Sequence, residues 1–195
     1  MRALTEKEKA IVLLLTKDFT VFYNARSLSK QVGMSPRGAL KALKFLEQNG
    51  IVKSTRIGKA LIYRLIFNEY ALELTSLFLF EEARTKALRW VKEFEQFKNV
   101  DALILFGSVL RTPKYNDIDM LILADKKSYR ILNKQIIEKN SLLLKPIHPV
   151  WQLRSDLEKN LRKRDPVLLE IIKTGLVLKG QRTILEVLAN VARFE

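Results

Sequence analysis

The stretch ARSLSKQVGMSPRGALKALKFLEQNGIVKSTRIGKALIYRL, residues 25–65, decides the N-terminal fold. At its centre Ser35-Pro36 is a strong helix start: a serine hydroxyl accepts the free amide hydrogens of the first turn, and proline tolerates the first helical position. The helix is expected over 36–49, with Ala39, Leu40, Leu43 and Leu46 as its apolar stripe and Arg37, Lys41 and Lys44 at i, i+4 and i+7 on another face. Asn49-Gly50 stops it, and two β-rich runs, 51–56 and 60–65, follow around a tight turn at Ile57-Gly58-Lys59. Upstream, Asn24 can cap a helix in which Ala25, Leu28 and Val32 share a face and after which Gly33 supplies a break. Further upstream, Thr5 and Glu8 have the spacing of a capping box ahead of the apolar run 10–15, so a first helix ends near Asp18.

Charge singles out the same region. The 195-residue chain carries 35 Lys and Arg against 21 Asp and Glu, a net +14. Residues 1–66 hold 13 basic and 4 acidic side chains, so a third of the chain carries most of the imbalance. A basic excess of this kind usually answers a polyanion, nucleic acid more often than membrane, although a solubility device would leave the same trace.

The order helix, helix, turn, helix, hairpin resembles the winged helix-turn-helix of many prokaryotic transcription regulators. What that resemblance implies is a recognition helix over 36–49 in the major groove of double-stranded DNA, with a wing near Gly58 on the backbone. Arg37, Lys41 and Lys44 would then meet phosphates or base edges, and Arg56 and Lys59 would flank the wing. Winged helices also serve as protein-docking modules, and that alternative stays open.

Composition limits the remainder. An apolar fraction of 48% with 7 Gly and 5 Pro fits regular, well-packed structure, and the absence of cysteine excludes disulfides, Cys-ligated metal and thiol catalysis. The apolar run near the N-terminus is too short for a signal-peptide core, and no run approaches the ~18 apolar residues of a membrane span. A soluble cytoplasmic protein with no membrane partner is expected. Residues 68–98 contain neither Pro nor Gly and keep a helical period, which predicts a helical connector over 67–98 with a break near Phe80-Glu81. The apolar cluster 77–80 within it is either covered by the flanking domains or forms the seam of a homodimer.

The chemistry is expected in LILFGSVLRTPKYNDIDMLIL, residues 103–123. A strand over 102–106 runs into Gly107-Ser108, and a second strand over 118–123 is entered through Asn116-Asp117. On that strand Asp117 and Asp119 alternate with Ile118 and Met120, and a period of two sends both carboxylates to one face. Two adjacent acids repel, and a hard divalent cation with substrate phosphates relieves that repulsion. The small Gly107-Ser108 pair lets backbone amides and a hydroxyl approach a phosphate closely.

Strand-Gly-Ser, eight residues, Asp-x-Asp-strand resembles the signature of the nucleotidyltransferase superfamily that includes DNA polymerase beta and the minimal nucleotidyltransferases of prokaryotes. The likeness extends through SDLEKNLRKRDPVLLEIIKTGLVLKG, so that it covers about residues 83–182. It implies a C-terminal domain over 99–195 with a small mixed sheet, and a two-domain fold of α+β or α/β class. It further implies that Gly107, Ser108 and Arg111 hold a nucleoside triphosphate, and that Asp117 and Asp119 bind magnesium as the catalytic pair. The activity implied is transfer of a nucleoside monophosphate to a macromolecular acceptor, protein or RNA. The alternative is a DNA-binding regulator whose second domain is a degenerate nucleotide sensor or a dimerisation module.

Two departures weigh on the enzymatic reading. Thr112 stands where many relatives have glycine, and no acid occurs between Glu138 and Asp156, where a strand over 145–153 should carry a third carboxylate. His148, the sole histidine, could stand in as a base; between two nearby prolines it reads more readily as structural. Arg162, Lys163 and Arg164 read as a solvated helix face, and Trp90 and Trp151 as core.

Overall fold

The computed structural model describes residues 2–192; the expected domain limits at 1 and 195 lie outside them. The chain forms two compact units, Met1–Phe78 and Leu79–Glu195.

The first unit is a winged helix. Helices α1 (Glu6–Lys17), α2 (Ala25–Gln31) and α3 (Pro36–Gln48) precede the antiparallel hairpin β1 (Val52–Ile57) and β2 (Ala60–Leu65). Each helix starts where its capping residues place it. Thr5 and Glu8 close a reciprocal capping box, Asn24 accepts from Ser27 N, and Ser35 accepts from Gly38 N with Pro36 following. Ile57 pairs Ala60 across the two-residue turn, where Gly58 takes φ +59. Glycine adopts this left-handed conformation at no steric cost, and it turns the hairpin tightly enough to project a wing.

Between α1 and α2, Tyr63 N donates to the carbonyl of Tyr23, adding a one-residue bridge to the hairpin. The Tyr23 hydroxyl donates to buried Asp18 at 2.5 Å. Burial, followed by that hydrogen bond and the Asp18 charge, pushes the phenol up to about 12. The core gathers Ile11, Val12, Leu28, Leu43, Leu46, Ile51 and Tyr63.

In α3 the buried stripe is Ala39, Ala42, Leu43 and Leu46. Leu40 does not belong to it as expected: it lies one position off this face and is 39% exposed.

The boundary between the units falls inside α4 (Glu69–Phe94), whose helical backbone is interrupted at Ala87 (φ −146, ψ 39). The break expected near Phe80-Glu81 is therefore displaced. At 80–81 the chain has no breaker, and the ion pair from Lys86 to Glu82, one turn apart at 2.8 Å, favours helix just beyond it. Within the cluster 77–80, Phe78 and Leu79 are buried, whereas Leu77 and Phe80 face outward.

The second unit is built on a four-stranded mixed sheet of order β5-β4-β3-β6, from β3 (Ala102–Leu105), β4 (Ile118–Leu123), β5 (Ile147–Gln152) and β6 (Leu176–Lys179). β3 runs antiparallel to both β4 and β6, while β4 and β5 are parallel and joined through α5 (Tyr129–Asn140). Leu103, Leu105, Ile118, Met120, Ile122 and Ile147 face one core with Trp90, Phe94 and Phe97. The second unit is completed by α6 (Arg154–Arg162), α7 (Pro166–Thr174) and α8 (Gln181–Ala192). Trp90 is buried and stacked on Phe94, as expected of a core residue, whereas Trp151 is half-buried against Tyr129. Arg162, Lys163 and Arg164 are exposed, with Arg162 paired to Glu158. No helix among the described residues is long and apolar enough to cross a membrane.

The first helix carries a pH-dependent contribution. Glu8 accepts from both Arg2 guanidinium nitrogens and from Thr5 N, and these bonds, Arg2 first, hold its carboxyl below the usual glutamate range. A lowered folded value gives stability that is present above the ordinary range and lost as pH falls through the lowered value. Urea denaturation of Glu8→Gln should show a flatter loss of stability on acidification than wild type. Thr5→Ala should cost about 1 kcal/mol at neutral pH.

Candidate functional site

Two sites emerge, one in each unit. In the first, Arg37, Lys41 and Lys44 project from α3 and line a concave surface of about 490 Å³ with Arg2, Leu40, Phe45 and Gln48. All three are exposed, and among the described residues none has an acidic partner. Arg2 reaches this surface although sequence spacing gave no sign of it: its guanidinium lies 3.8 Å over the Phe45 ring while it pairs with Glu8. Arg56 and Lys59 are exposed on the wing, on β1 and in the turn respectively. The sequence thus brings a positive face onto the one exposed side of α3. It also leaves Leu40 exposed there, suited to apolar contact.

In the second unit the geometry turns on Gly107. β3 ends at Leu105, one residue earlier than expected, and Phe106 N donates to the Asp119 carbonyl at 3.1 Å. The chain then passes through Gly107 at φ +81 and ψ −153 into a 3-10 turn over Ser108–Leu110. A Cβ at Gly107 would fall 2.1 Å from Asp119 Oδ2, so no other residue fits without moving that carboxylate. Gly107 and Asp119 are thereby brought together.

Asp117 and Asp119 share the sheet face opposite Ile118 and Met120, as their period predicts. Parallel register places His148 of β5 directly beside Asp119, with Nδ1 3.2 Å from Oδ1. One donor atom each from Asp117, Asp119 and His148 lies within 4.8 Å of the others. His148 is therefore not a core residue: its side chain is 66% exposed and faces the carboxylates. The neighbouring prolines have another role. Pro149 is tolerated because β5 is the edge strand of the sheet, and the Pro146 carbonyl accepts from Ile118 N at 2.9 Å. Ile147 N donates to Asn140 Oδ1, tying the start of β5 to the end of α5 and fixing the register of His148.

A cleft of about 450 Å³ opens beside this cluster, lined by Phe106, Gly107, Arg111 and Asp119 on one side and by Pro166, Val167, Glu170, Ile171 and Thr174 of α7 on the other. That volume lies within the range of small-molecule sites. Arg111 places a cation in the same cleft as Asp119. Ser108 is half-buried at the start of the 3-10 turn and does not line the cleft. Glu170 contributes a carboxylate at the rim that the linear sequence gave no reason to select.

No protein-family model matches the chain, and no curated protein does. Among solved structures, it is similar to the adhesin competence repressor of Streptococcus pyogenes at 19% identity over 49% of this chain and 69% of that one, with a TM-score of 0.38. It is also similar to the zinc-responsive MarR family member ZitR of Lactococcus lactis, at 19% over 50% and 66%, TM-score 0.39. A third is a homodimeric winged helix-turn-helix DNA-binding domain from Mycobacterium bovis, a possible ArsR-family regulator, at 19% over 48% and 73%, TM-score 0.33. These overlaps are partial; the winged-helix class of the first unit rests on its element order and hairpin register.

The close approach of Gly107 to Asp119 is testable by a double-mutant cycle. Gly107→Ala should destabilise the protein by about 1–3 kcal/mol, from overpacking and a backbone conformation reserved for glycine. Combining it with Asp119→Ala should recover the overpacking part, giving a coupling of at least ~0.5 kcal/mol in chemical denaturation. Strict additivity would contradict the geometry.

Proposed function

We propose that the protein is a DNA-binding transcription regulator whose second unit, which resembles a nucleotidyltransferase in its sequence motif, senses a nucleoside triphosphate carried with a divalent cation. The observation that carries the DNA-binding part is the unpaired positive face of α3, Arg37, Lys41 and Lys44 together, with Arg56 and Lys59 on the wing beside it in sequence. A helix of this class lays such a face in the major groove while a wing reaches backbone phosphates. Reading two half-sites calls for a second copy of the chain, so a homodimer is the expected binding form.

The nucleotide part is supported by the donor set. Asp117 and Asp119 supply hard oxygen ligands, Gly107 leaves room at the carboxylate, and Arg111 stands in the adjoining cleft for phosphate. The family resemblance by itself implies magnesium as that cation. When bound, it would neutralise phosphate charge; the chain's own residues orient the triphosphate and hold it against the end of β3.

A second reading is slow nucleotidyl transfer to a protein or RNA acceptor. It is favoured by the His148 ring beside Asp119, an imidazole being a side chain able to take up an acceptor hydroxyl's proton.

Two measurements separate these readings. Duplex DNA should bind with an affinity that falls steeply with salt, and the triple variant of Arg37, Lys41 and Lys44 to Ala should reduce the log–log salt slope by roughly one for each phosphate no longer neutralised. Binding that is absent or independent of salt would replace DNA with a protein partner. For the second unit, magnesium with ATP should raise the melting temperature more than either alone, and Asp117→Asn with Asp119→Asn should remove that synergy. Label incorporated from α-labelled triphosphate into protein or RNA, and abolished in Asp119→Asn, would favour the transferase.

A further inference from the structure

We infer that Asp117, Asp119 and His148 form a three-ligand site for an imidazole-accepting first-row divalent cation, of the Fe²⁺, Co²⁺ or Zn²⁺ class, in preference to magnesium. The inference rests on the reading of this cluster as a cation site and specifies which cation it takes.

The geometry is that of a ligand set. Two donors bound to one ion at right angles, with bonds of about 2.1 Å, stand roughly 3 Å apart. His148 Nδ1 and Asp119 Oδ1 are 3.2 Å apart, and the Asp117 donor lies within 4.8 Å of both. The ring is displayed rather than packed. It stands on an edge strand pinned by the Ile118–Pro146 and Ile147–Asn140 hydrogen bonds, with 66% of its side chain open. An exposed His–Asp pair by itself is worth little to stability, so stability gives no reason to hold the ring there. The cluster also has an open side toward the cleft of Gly107 and Arg111, which leaves coordination positions for water or phosphate.

The chemistry of the donors decides the cation. Carboxylate and water alone suit magnesium, whereas a neutral imidazole adds a borderline-soft nitrogen that magnesium gains little from and later first-row metals gain much from. Where a third carboxylate would raise the negative charge of the site, His148 leaves it lower and favours metals that bind through covalency. A ring nitrogen committed to the cation is also unable to collect an acceptor's proton through that atom. This favours sensing over transfer.

The test uses the full untagged chain, in which His148 is the sole histidine, so an imidazole signal has one source. Co²⁺ and Mg²⁺ are titrated separately by calorimetry into wild type, His148→Ala, His148→Asp and Asp119→Asn, and Mn²⁺-loaded protein is read by pulsed EPR for imidazole nitrogen. Expected are nitrogen modulation in wild type that vanishes in both His148 variants, and a loss of Co²⁺ affinity in His148→Ala of roughly tenfold or more with little change for Mg²⁺. His148→Asp should move the preference back toward Mg²⁺. A cation that binds through Asp119 with no nitrogen modulation and no change of preference in the His148 variants overturns this inference and leaves the cation-site reading standing. Absence of binding by either ion in wild type overturns both.

Discussion

The absence of a side chain at Gly107 is the constraint on which the second unit's site depends. At φ +81 the chain turns out of β3 with its α-carbon so close to Asp119 that an added Cβ would meet the carboxylate oxygen. That approach sets the distance between the end of β3 and Asp119 on β4. It requires β3 and β4 to pair as they do, Leu105 opposite Met120, with Phe106 N on the Asp119 carbonyl. The strands are held there by burial. Every residue of β3 is buried, and so are five of the six in β4, Asp119 being the exception that reaches out of the sheet.

The first unit solves a different problem with the same economy of residues. Its three helix starts are set by Thr5, Asn24 and Ser35, and its wing by Gly58, so backbone hydrogen bonds and turn chemistry fix the frame. The small and branched residues Ala39, Ala42, Leu43 and Leu46 then anchor α3, leaving Arg37, Lys41 and Lys44 outward. Among its buried polar groups, Asp18 is taken up by the Tyr23 hydroxyl and Glu8 by Thr5 and Arg2, while the Thr75 and Ser76 hydroxyls on α4 have no hydrogen-bond partner within the protein.

Much of this was legible in the residues. Capping boxes, the Ser-Pro start and the Asn-Gly stop are local signals, and the face shared by Asp117 and Asp119 follows from strand period alone. What escaped depends on distance in sequence. The pairing of His148 with Asp119 is set by the α5 crossover and by Asn140, and nothing local to Ile147-His148-Pro149 announces it; the prolines instead suggest a structural histidine. Leu40 sits one helical position off the stripe that periodicity draws, since Ala42 is small enough to look neutral while packing as core. The interruption at Ala87 has no glycine or proline to mark it, so a helical period carries straight through it. The bridge from Tyr23 to Tyr63 is a single residue long, too short for any alternation to reveal.

These observations describe a chain that carries a basic helix face in one unit and, in the other, gathers Asp117, Asp119 and His148 beside Gly107 and Arg111. The most direct test is a crystal structure of the full chain soaked with Mn²⁺ and a non-hydrolysable triphosphate, with the cation located by its anomalous signal. One Mn²⁺ is expected within bonding distance of Asp117, Asp119 and His148, with phosphate oxygens against Gly107 and Arg111. Cation density elsewhere, or a triphosphate bound away from Gly107, would contradict this arrangement.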